Sequence, residues 1–260
     1  MGQVEDEKRI FVISDLHGQF VLLQLLLERI NFTDNDELYI LGDIMDRGPN
    51  SIDIYYFVQA MDNIHMLKGN HEIMMKQSMQ AALKYNDLDS DRSNPYRLWK
   101  QNGGNKTVDS IREYLQKENI PYDEYFDLRK YFINELIDFI DSLPSYIELD
   151  FKGKHYVMVH AGVDPEAELK DNDEEVCAWI REYFYMSPAN PDYTYIFGHT
   201  PLTYINEDGS FDIWYDPEFH NKIGIDGGLA MGEKGQLNCL CLNDGSVTVL
   251  KWAEGQEAVE

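Results

Sequence analysis

Residues 37–48 have the sequence ELYILGDIMDRG: a short apolar run, then a glycine-bounded turn with two carboxylates and an arginine. The run has the length and residue types of a buried strand. On either side of it, RIFVIS (9–14) predicts a strand, FVLLQLLLERI (20–30) and SIDIYYFVQAM (51–61) predict helices, and IHMLK (64–68) predicts a third strand. Strand, helix, strand, helix, strand indicates an α/β layer fold.

The remainder of the chain divides into a helical part and a strand-rich part. A helix is expected over residues 71–85, and the polar, helical pattern at about 86–141 indicates an α-helical insertion or cap. The second half contains six runs typical of strands, at 145–149, 155–160, 193–199, 222–226, 237–242 and 246–252. Because both halves contribute sheet, we expect one catalytic domain over residues 1–252, with a two-sheet β-sandwich flanked by helices. Residues 253–260 are expected to fray.

Composition excludes several classes of function. The net charge is −25, which argues against non-specific nucleic-acid binding and means that an anionic substrate needs local cations. No apolar stretch is long enough to span a membrane, and the charged residues 1–9 do not resemble a signal peptide. Three cysteines do not form a disulfide framework, so we expect a cytoplasmic location.

Polar residues follow the predicted strands repeatedly, each time beside a glycine. Ligand sites in α/β sheets lie outside the carboxyl ends of strands. A single strand-end histidine is more often satisfied by a neighbour than bound to metal, but five strand ends share the pattern. The residues concerned are Asp15, His17, Asp43, Asn70, His160 and His199.

These six side chains predict a metal centre. They offer oxygen and imidazole ligands without a thiolate, which suits manganese, with iron or zinc as alternatives. Six ligands, one of them a carboxylate that can bridge, match two divalent ions about 3.5–4 Å apart. Such a pair activates a water and neutralises a phosphoryl group.

The turn at residues 42–48 then has a function. We expect Asp43 to bridge the two ions and Arg47 to bind phosphate through its guanidinium. His71 directly follows a ligand and is expected to donate a proton to the leaving oxygen, with Asp46 orienting it.

Five blocks carry a resemblance to a known family. In chain order they are SDLHG (14–18), GDIMDRGP (42–49), GNHE (69–72), VHAG (159–162) and FGHTP (197–201). Together they resemble the phosphoprotein phosphatase family of calcineurin-like metallophosphoesterases. The resemblance implies a central β-sandwich, two metal ions and single-step hydrolysis of a phosphate ester by a metal-activated water.

The segment after His160 lacks the long stretch of the eukaryotic members and is similar to the bacterial type, whereas Ser14 stands where the family commonly has glycine. Glu72 and the Thr-Pro after His199 favour a serine/threonine protein phosphatase acting on phosphoproteins or small phosphoesters. The alternative is a bis(5'-nucleosyl)-tetraphosphatase, and a more remote one is a non-catalytic phosphate-binding module. Retention of His71 and Arg47 argues against the last.

One arginine cannot contact all the oxygens of a transferring phosphoryl group, so we expect a second cationic side chain at the site. Between His160 and His199 the sequence contains two candidates, Lys170 and Arg181. Lys170 lies in an acidic run typical of a solvated face. Arg181 resembles the family's second phosphate-binding arginine, although a surface arginine paired with Glu182 or Glu174 is the alternative.

Overall fold

The computed structural model describes residues 7–85, 94–118 and 125–258. The strands are β1 (Ile10–Ile13), β2 (Glu37–Ile40), β3 (Ile64–Met66), β4 (Tyr146–Phe151), β5 (Lys154–Val159), β6 (Tyr193–Phe197), β7 (Trp214–Tyr215), β8 (Lys222–Gly224), β9 (Gln236–Cys241) and β10 (Val247–Lys251). The α-helices are α1 (Phe20–Arg29), α2 (Ser51–Ala60), α3 (Asn70–Tyr85), α4 (Asn94–Trp99), α5 (Asn105–Lys117), α6 (Tyr125–Ser142), α7 (Glu174–Trp179), α8 (Glu182–Tyr185) and α9 (Trp252–Glu257). A π-helical turn, Lys100–Gly104, joins α4 to α5.

The strands form two five-stranded sheets, in the orders β10-β9-β1-β2-β3 and β4-β5-β6-β8-β7. β1, β2 and β3 are mutually parallel, as are β5, β6 and β8, and the remaining strands pair antiparallel. The carboxyl ends of each parallel set therefore open at one edge of its sheet. The predicted α/β fold with a two-sheet sandwich is confirmed.

Alternation along the strands produces separate apolar layers. In β1, Ile10 and Val12 face the layer between the two sheets, whereas Phe11 and Ile13 face the helices. Successive strand side chains point to opposite faces, so a strand covered on both sides is apolar throughout. This explains why RIFVIS is a continuous apolar run and not an alternating one.

Three features of the second half were not assigned from the sequence. β9 and β10 belong to the first sheet, because β9 pairs with β1. β7 was not predicted, since two residues carry no periodicity. Residues 252–257 form α9, with Gly255 buried against Leu22 of α1, so residues 253–257 of the predicted frayed tail are helical.

The insertion is helical in its described part, as predicted, and packs on the first sheet's helices. Tyr56 of α2, Tyr114 of α5 and Phe132 of α6 form a cluster of rings with centroids 4.8–6.3 Å apart. Residues 86–93 and 119–124 of the predicted insertion lie outside the described residues. Across the described ranges, no helix is both long and apolar enough to cross a membrane.

Candidate metal centre

Loops that follow β1 and β2 run side by side and bring the first predicted ligands together. The N–H of Asp15 donates to the carbonyl of Gly42 at 3.3 Å, and that of His17 donates to the carbonyl of Asp43 at 2.9 Å. Gly69, before α3, lies so close to this loop that a Cβ there would come within 2.2 Å of Asp43 Oδ1. The same Cβ would come within 2.6 Å of the backbone N of Asp43, so the close approach of the two loops requires glycine here.

Left-handed backbone turns orient most of these side chains. Outside glycine this conformation is uncommon, and it costs about 1–3 kcal/mol when the surroundings must hold it. Six of the predicted site residues adopt it, with φ between 44° and 69°: Asp15, His17, Asp43, Asp46, Arg47 and His199. Directly after β1, two of these left-handed residues, Asp15 and His17, flank the buried Leu16.

Asp43 is common to two groups of converging side chains. One group joins it to His17 and His71, and the other joins it to His160 and His199, with ligand atoms within 4.8 Å of one another. Asp43 Oδ1 accepts the N–H of His71 at 3.0 Å, which leaves Oδ2 to face the rings. Oδ2 lies 3.9 Å from Nε2 of His17 and 3.5 Å from Nε2 of His160. A single carboxylate oxygen between two imidazole groups is the arrangement expected of a bridging ligand.

Hydrogen bonds to backbone carbonyls fix the tautomers of two of the histidines. Nδ1 of His17 donates to the carbonyl of Met45 at 3.0 Å, and Nδ1 of His160 donates to the carbonyl of Leu41 at 2.6 Å. A carbonyl can only accept, so each Nδ1 carries the proton and each Nε2 presents a lone pair to the centre.

The donor set on the His160 side fits a cation. Asn70 Oδ1 lies 3.0 Å from Nε2 of His160 and 2.9 Å from Nδ1 of His199, and those two nitrogens are 3.2 Å apart. Nε2 of His199 is buried and has no hydrogen-bond partner among the described residues. If it carries the ring proton, three lone pairs converge, and a shared cation would relieve their repulsion. Asn70, His160, His199 and Asp43 would hold one ion, and Asp43 with His17 and Asp15 the other.

Asp15 lies in the same cavity but outside the two close groups of ligand atoms. Its Oδ2 accepts the N–H of His199 at 3.0 Å and a hydrogen bond from Ser14. Burial raises the pKa of Asp15, as do the charges of Asp226 and Asp43. Burial and the charge of Glu72 likewise raise the pKa of Asp43. Cations at the predicted positions would neutralise this cluster of carboxylates.

Glu72 has a role that the sequence interpretation missed. Its side chain is fully buried, and Oε2 accepts the N–H groups of Asp43 and Gly69 at 2.8 and 3.0 Å. Oε1 accepts those of Ile44 and Met45 at 3.0 and 3.3 Å. Glu72 therefore holds the loop that carries Asp43. Since all four of these contacts are to backbone, its identity is weak evidence for a protein substrate.

His71, Asp46 and Arg47 meet on one side of the centre. Nδ1 of His71 donates to Asp46 Oδ2 at 2.7 Å, and Nε2 lies 3.1 Å from Nη2 of Arg47. Burial raises the pKa of Asp46 to about 7, against the hydrogen bonds from Thr107 and Trp99 that lower it. Burial and the charge of Arg47 lower the pKa of His71. The ring is thus anchored at Nδ1 and turns Nε2 toward the cavity.

A cavity of about 390 Å³ opens over the centre and contains both predicted phosphate-binding cations. Arg181 lines it and donates to Thr200 Oγ1 at 3.0 Å, and among the described residues Glu174 pairs with Lys68 and not with Arg181. Binding of phosphate by Arg181 stays a prediction. Lys170 does not line it. Asp226, buried and also in the wall, was missed, although it follows the apolar run of β8 beside a glycine, as the other site residues follow theirs.

This fold and this cluster of ligands define a metallophosphoesterase. The chain belongs to the calcineurin-like phosphoesterase family, whose model matches residues 8–227. Members of this family normally bind two divalent metal ions, which agrees with the donor set described above.

Curated relatives include symmetrical bis(5'-nucleosyl)-tetraphosphatases. The one from Erwinia tasmaniensis is 27% identical over 161 residues, covering 61% of this chain and 46% of the relative. The one from Enterobacter sp. (strain 638) is 26% identical over 183 residues, covering 70% and 52%. The chain thus spans about half the length of these curated relatives.

Solved structures support the fold. A protein provisionally described as a diadenosine tetraphosphatase superposes with a TM-score of 0.62 at 16% identity, covering 95% of both chains. A serine/threonine protein phosphatase from Saccharomyces cerevisiae superposes with a TM-score of 0.52 at 15% identity, covering 95% of this chain and 80% of that one. The predicted family is confirmed, and the curated relatives favour the alternative substrate class over phosphoproteins.

Proposed function

We propose that this chain hydrolyses dinucleoside polyphosphates in a metal-dependent reaction. The observation that carries the proposal is the similarity to curated symmetrical tetraphosphatases, in a chain that also has the ligands and cations such a reaction needs. Two divalent ions, when bound, activate a water and neutralise phosphoryl oxygens. Water oxygen bonds to one central phosphorus, the bridging P–O bond breaks, and its electron pair leaves with a nucleoside diphosphate.

The chain's own residues would divide the remaining work. Arg47 and Arg181 would bind non-bridging phosphoryl oxygens, because both line the cavity and guanidinium groups suit that geometry. His71 would hold a proton at Nε2 for the leaving oxygen, and Asp46 would fix its ring. Phosphate drawn to Arg47 would also relieve the contact between that arginine and Nε2.

A second cavity beside the centre, which we name the aromatic pocket, would accept a nucleoside. It measures about 710 Å³ and shares Tyr204 with the catalytic cavity. Its aromatic residues are Tyr185, Tyr204, Trp214, Tyr215 and Phe219. Base stacking on such rings contributes about 1–3 kcal/mol per base. The carboxylates of Glu182, Glu207 and Glu218 in its wall would repel phosphate and so favour entry of the base.

A phosphoprotein is the second candidate substrate, and one contact favours it. The buried pair of Asp46 and His71 suits a poor leaving group such as a serine alkoxide, which requires a proton. A nucleoside diphosphate leaves more easily and requires that proton less.

A panel of substrates distinguishes the two candidate functions. Turnover of diadenosine tetraphosphate is compared with turnover of phosphoserine and phosphothreonine peptides at the same manganese concentration. We expect higher kcat/KM for the dinucleotide. Tyr215→Ala should raise the KM for the dinucleotide while leaving turnover of p-nitrophenyl phosphate unchanged, because Tyr215 lines the aromatic pocket and not the catalytic cavity. Tyr183→Ala is the matched control, because Tyr183 is similarly exposed and lines neither cavity.

A preference for peptides would replace this proposal by the protein phosphatase. Absence of turnover on every substrate would favour the phosphate-binding module.

A further inference from the structure

The helical insertion reaches the general-acid pair. Trp99, the last residue of α4, donates its indole N–H to Asp46, with 2.9 Å from Nε1 to each carboxylate oxygen. Thr107, in the first turn of α5, donates its hydroxyl to Asp46 Oδ1 at 2.6 Å and accepts the N–H of Asp46 at 2.9 Å. The carboxylate that anchors His71 is therefore itself held by two side chains from the insertion.

The same segment holds the phosphate-binding arginine. The carbonyl of Gly103 accepts the N–H of Arg47, and that of Asn102 accepts its Nε, each at 3.3 Å. Gly103 has φ +101°, and a Cβ there would come within 2.7 Å of Arg47 Cγ. The π-helical turn thus fits against Arg47 at a position that only glycine fills without strain.

We propose that residues 99–107 of the insertion are a working part of the active site, in which Trp99 and Thr107 act as positioning residues for the general acid. A carboxylate with a single partner can rotate about its last bond and take the imidazole with it. Donors on both oxygens, together with the bond to the Asp46 backbone, remove that freedom. Partners of this kind around a catalytic histidine, by analogy with those of metal ligands, are worth about 10–100-fold in activity.

Burial alone does not account for these contacts. Trp99 is 2% exposed and Thr107 is 0% exposed, so both also pack the insertion against the core. Packing would be served equally by phenylalanine and valine. What those replacements lack is the N–H and the O–H that are directed at Asp46.

The variants Trp99→Phe and Thr107→Val test this, with Ser110→Ala as the matched control. Ser110 lies one turn further along α5, is buried and accepts the N–H of Ile52 at 3.1 Å, a contact that does not involve Asp46. All three variants lose a buried hydrogen bond between the insertion and the core. Only the first two lose one to the general-acid pair.

The measurement is the dependence of kcat on the leaving group in manganese-loaded protein. Phenyl phosphate has a poor leaving group and p-nitrophenyl phosphate a good one. For both test variants we expect kcat on phenyl phosphate to fall about 10–100-fold, with a smaller loss on p-nitrophenyl phosphate and little change in KM. The ratio of kcat on p-nitrophenyl phosphate to kcat on phenyl phosphate should therefore rise in both test variants. Ser110→Ala should keep the wild-type ratio, and so should Thr107→Ser, because serine retains the hydroxyl.

Other results would overturn the proposal. Equal loss on both substrates for Trp99→Phe and Thr107→Val, or a ratio shift of the same size in Ser110→Ala, assigns the two residues to packing alone. The same conclusion would follow if Thr107→Val and Asp46→Asn, when combined, reduced kcat by the product of their separate effects. Should Thr107→Val fail to fold, Trp99→Phe compared with Ser110→Ala carries the same test.

The inference rests on His71 being the general acid and not on which substrate the chain prefers. Aryl phosphates report the acid whether dinucleotides or phosphopeptides are turned over, so failure of the substrate proposal is seen separately. In metal-free protein, nitrogen NMR of the His71 ring gives a second readout, since Thr107→Val should weaken the Nδ1–H bond to Asp46 and Ser110→Ala should not.

Discussion

Asp43 shows how much one side chain's orientation decides at this site. Because Oδ1 accepts the N–H of His71, Oδ2 alone faces both groups of histidines. In Asp43→Asn, the amide oxygen must take the place of Oδ1, which puts the NH₂ group where Oδ2 was. An amide NH₂ cannot bind a cation, so we expect metal content to fall from about two ions per chain to one or fewer.

Metal analysis after gel filtration measures this, with Asp34→Asn as an exposed control. Two ions bound at wild-type affinity in Asp43→Asn would contradict the bridging role.

Glu72 is expected to stabilise the loop that carries Asp43. Both of its oxygens accept two backbone N–H groups, so in Glu72→Gln the NH₂ must face one of these pairs. Losing charge-assisted hydrogen bonds in a buried site costs about 3 kcal/mol. We expect the free energy of unfolding to fall by that amount in urea titration and manganese to bind more weakly. Glu113→Gln, on the exposed face of α5, should change neither quantity; unchanged stability in Glu72→Gln would exclude the clamp.

Site residues that directly follow an apolar strand could be predicted from the sequence, whereas residues that contact the site from distant parts of the chain could not. Asp15, Asp43 and His160 share a local signal, namely an apolar run and a glycine. Trp99 and Thr107 have no such signal, because their contact with Asp46 spans 53 and 61 residues of chain. The left-handed backbone was equally hidden, since it is imposed by neighbouring loops and not by residue type.

At the scale of elements, the hairpin of β7 and β8 forms one wall of the aromatic pocket and depends on a buried ion pair. Lys222 is 1% exposed and Asp216 is 4% exposed, with Nζ 3.1 Å from Oδ2. Asp216 also accepts the N–H groups of Glu218 and Phe219, each at 3.0 Å. Removing one partner of a buried pair leaves an uncompensated charge, which costs about 3–5 kcal/mol.

We therefore expect Lys222→Met to lower the free energy of unfolding by about 3–5 kcal/mol, with Lys234→Met as an exposed control.

The contribution of this ion pair to stability should depend on pH in a defined direction. Burial raises the pKa of Asp216, but the hydrogen bonds that it accepts and the charge of Lys222 lower the pKa by more. The net pKa in the folded protein is therefore below the ordinary value of 3.8. Its stabilisation is thus present above pH 3.8 and is lost as pH falls through the lower folded value. If acid unfolding of Lys222→Met and wild type follow the same curve, the pair is not stabilising.

Elements with a strong period were predictable, and those defined by long-range pairing were not. The apolar runs of β1, β5 and β6 are long enough to be recognised alone. Assignment of β9 to the first sheet depends on its partner β1, more than two hundred residues earlier, which a local pattern does not encode. α9 was missed for a similar reason, because its polar sequence is ordered by contact with α1.

The charge of the whole molecule sets the approach of an anionic substrate. The chain carries a net charge of −25, whereas the catalytic cavity presents Arg47 and Arg181 beside three carboxylates, those of Asp15, Asp43 and Asp226. Attraction by these arginines and by bound metal acts over a few ångströms. Repulsion by the remaining surface acts over the Debye length, which is about 30 Å at 0.01 M salt and about 8 Å at 0.15 M.

Raising ionic strength between those limits should therefore increase kcat/KM for diadenosine tetraphosphate, because screening removes long-range repulsion while leaving the short-range contacts largely intact. The increase should be smaller for p-nitrophenyl phosphate, which carries less charge. In Arg181→Ala, kcat/KM should be lower at every salt concentration but rise at least as steeply, since the variant removes local attraction alone. A fall in kcat/KM with salt for the wild type would mean that the field at the cavity mouth is positive, and that the metals and two arginines outweigh the acidic surface even at a distance.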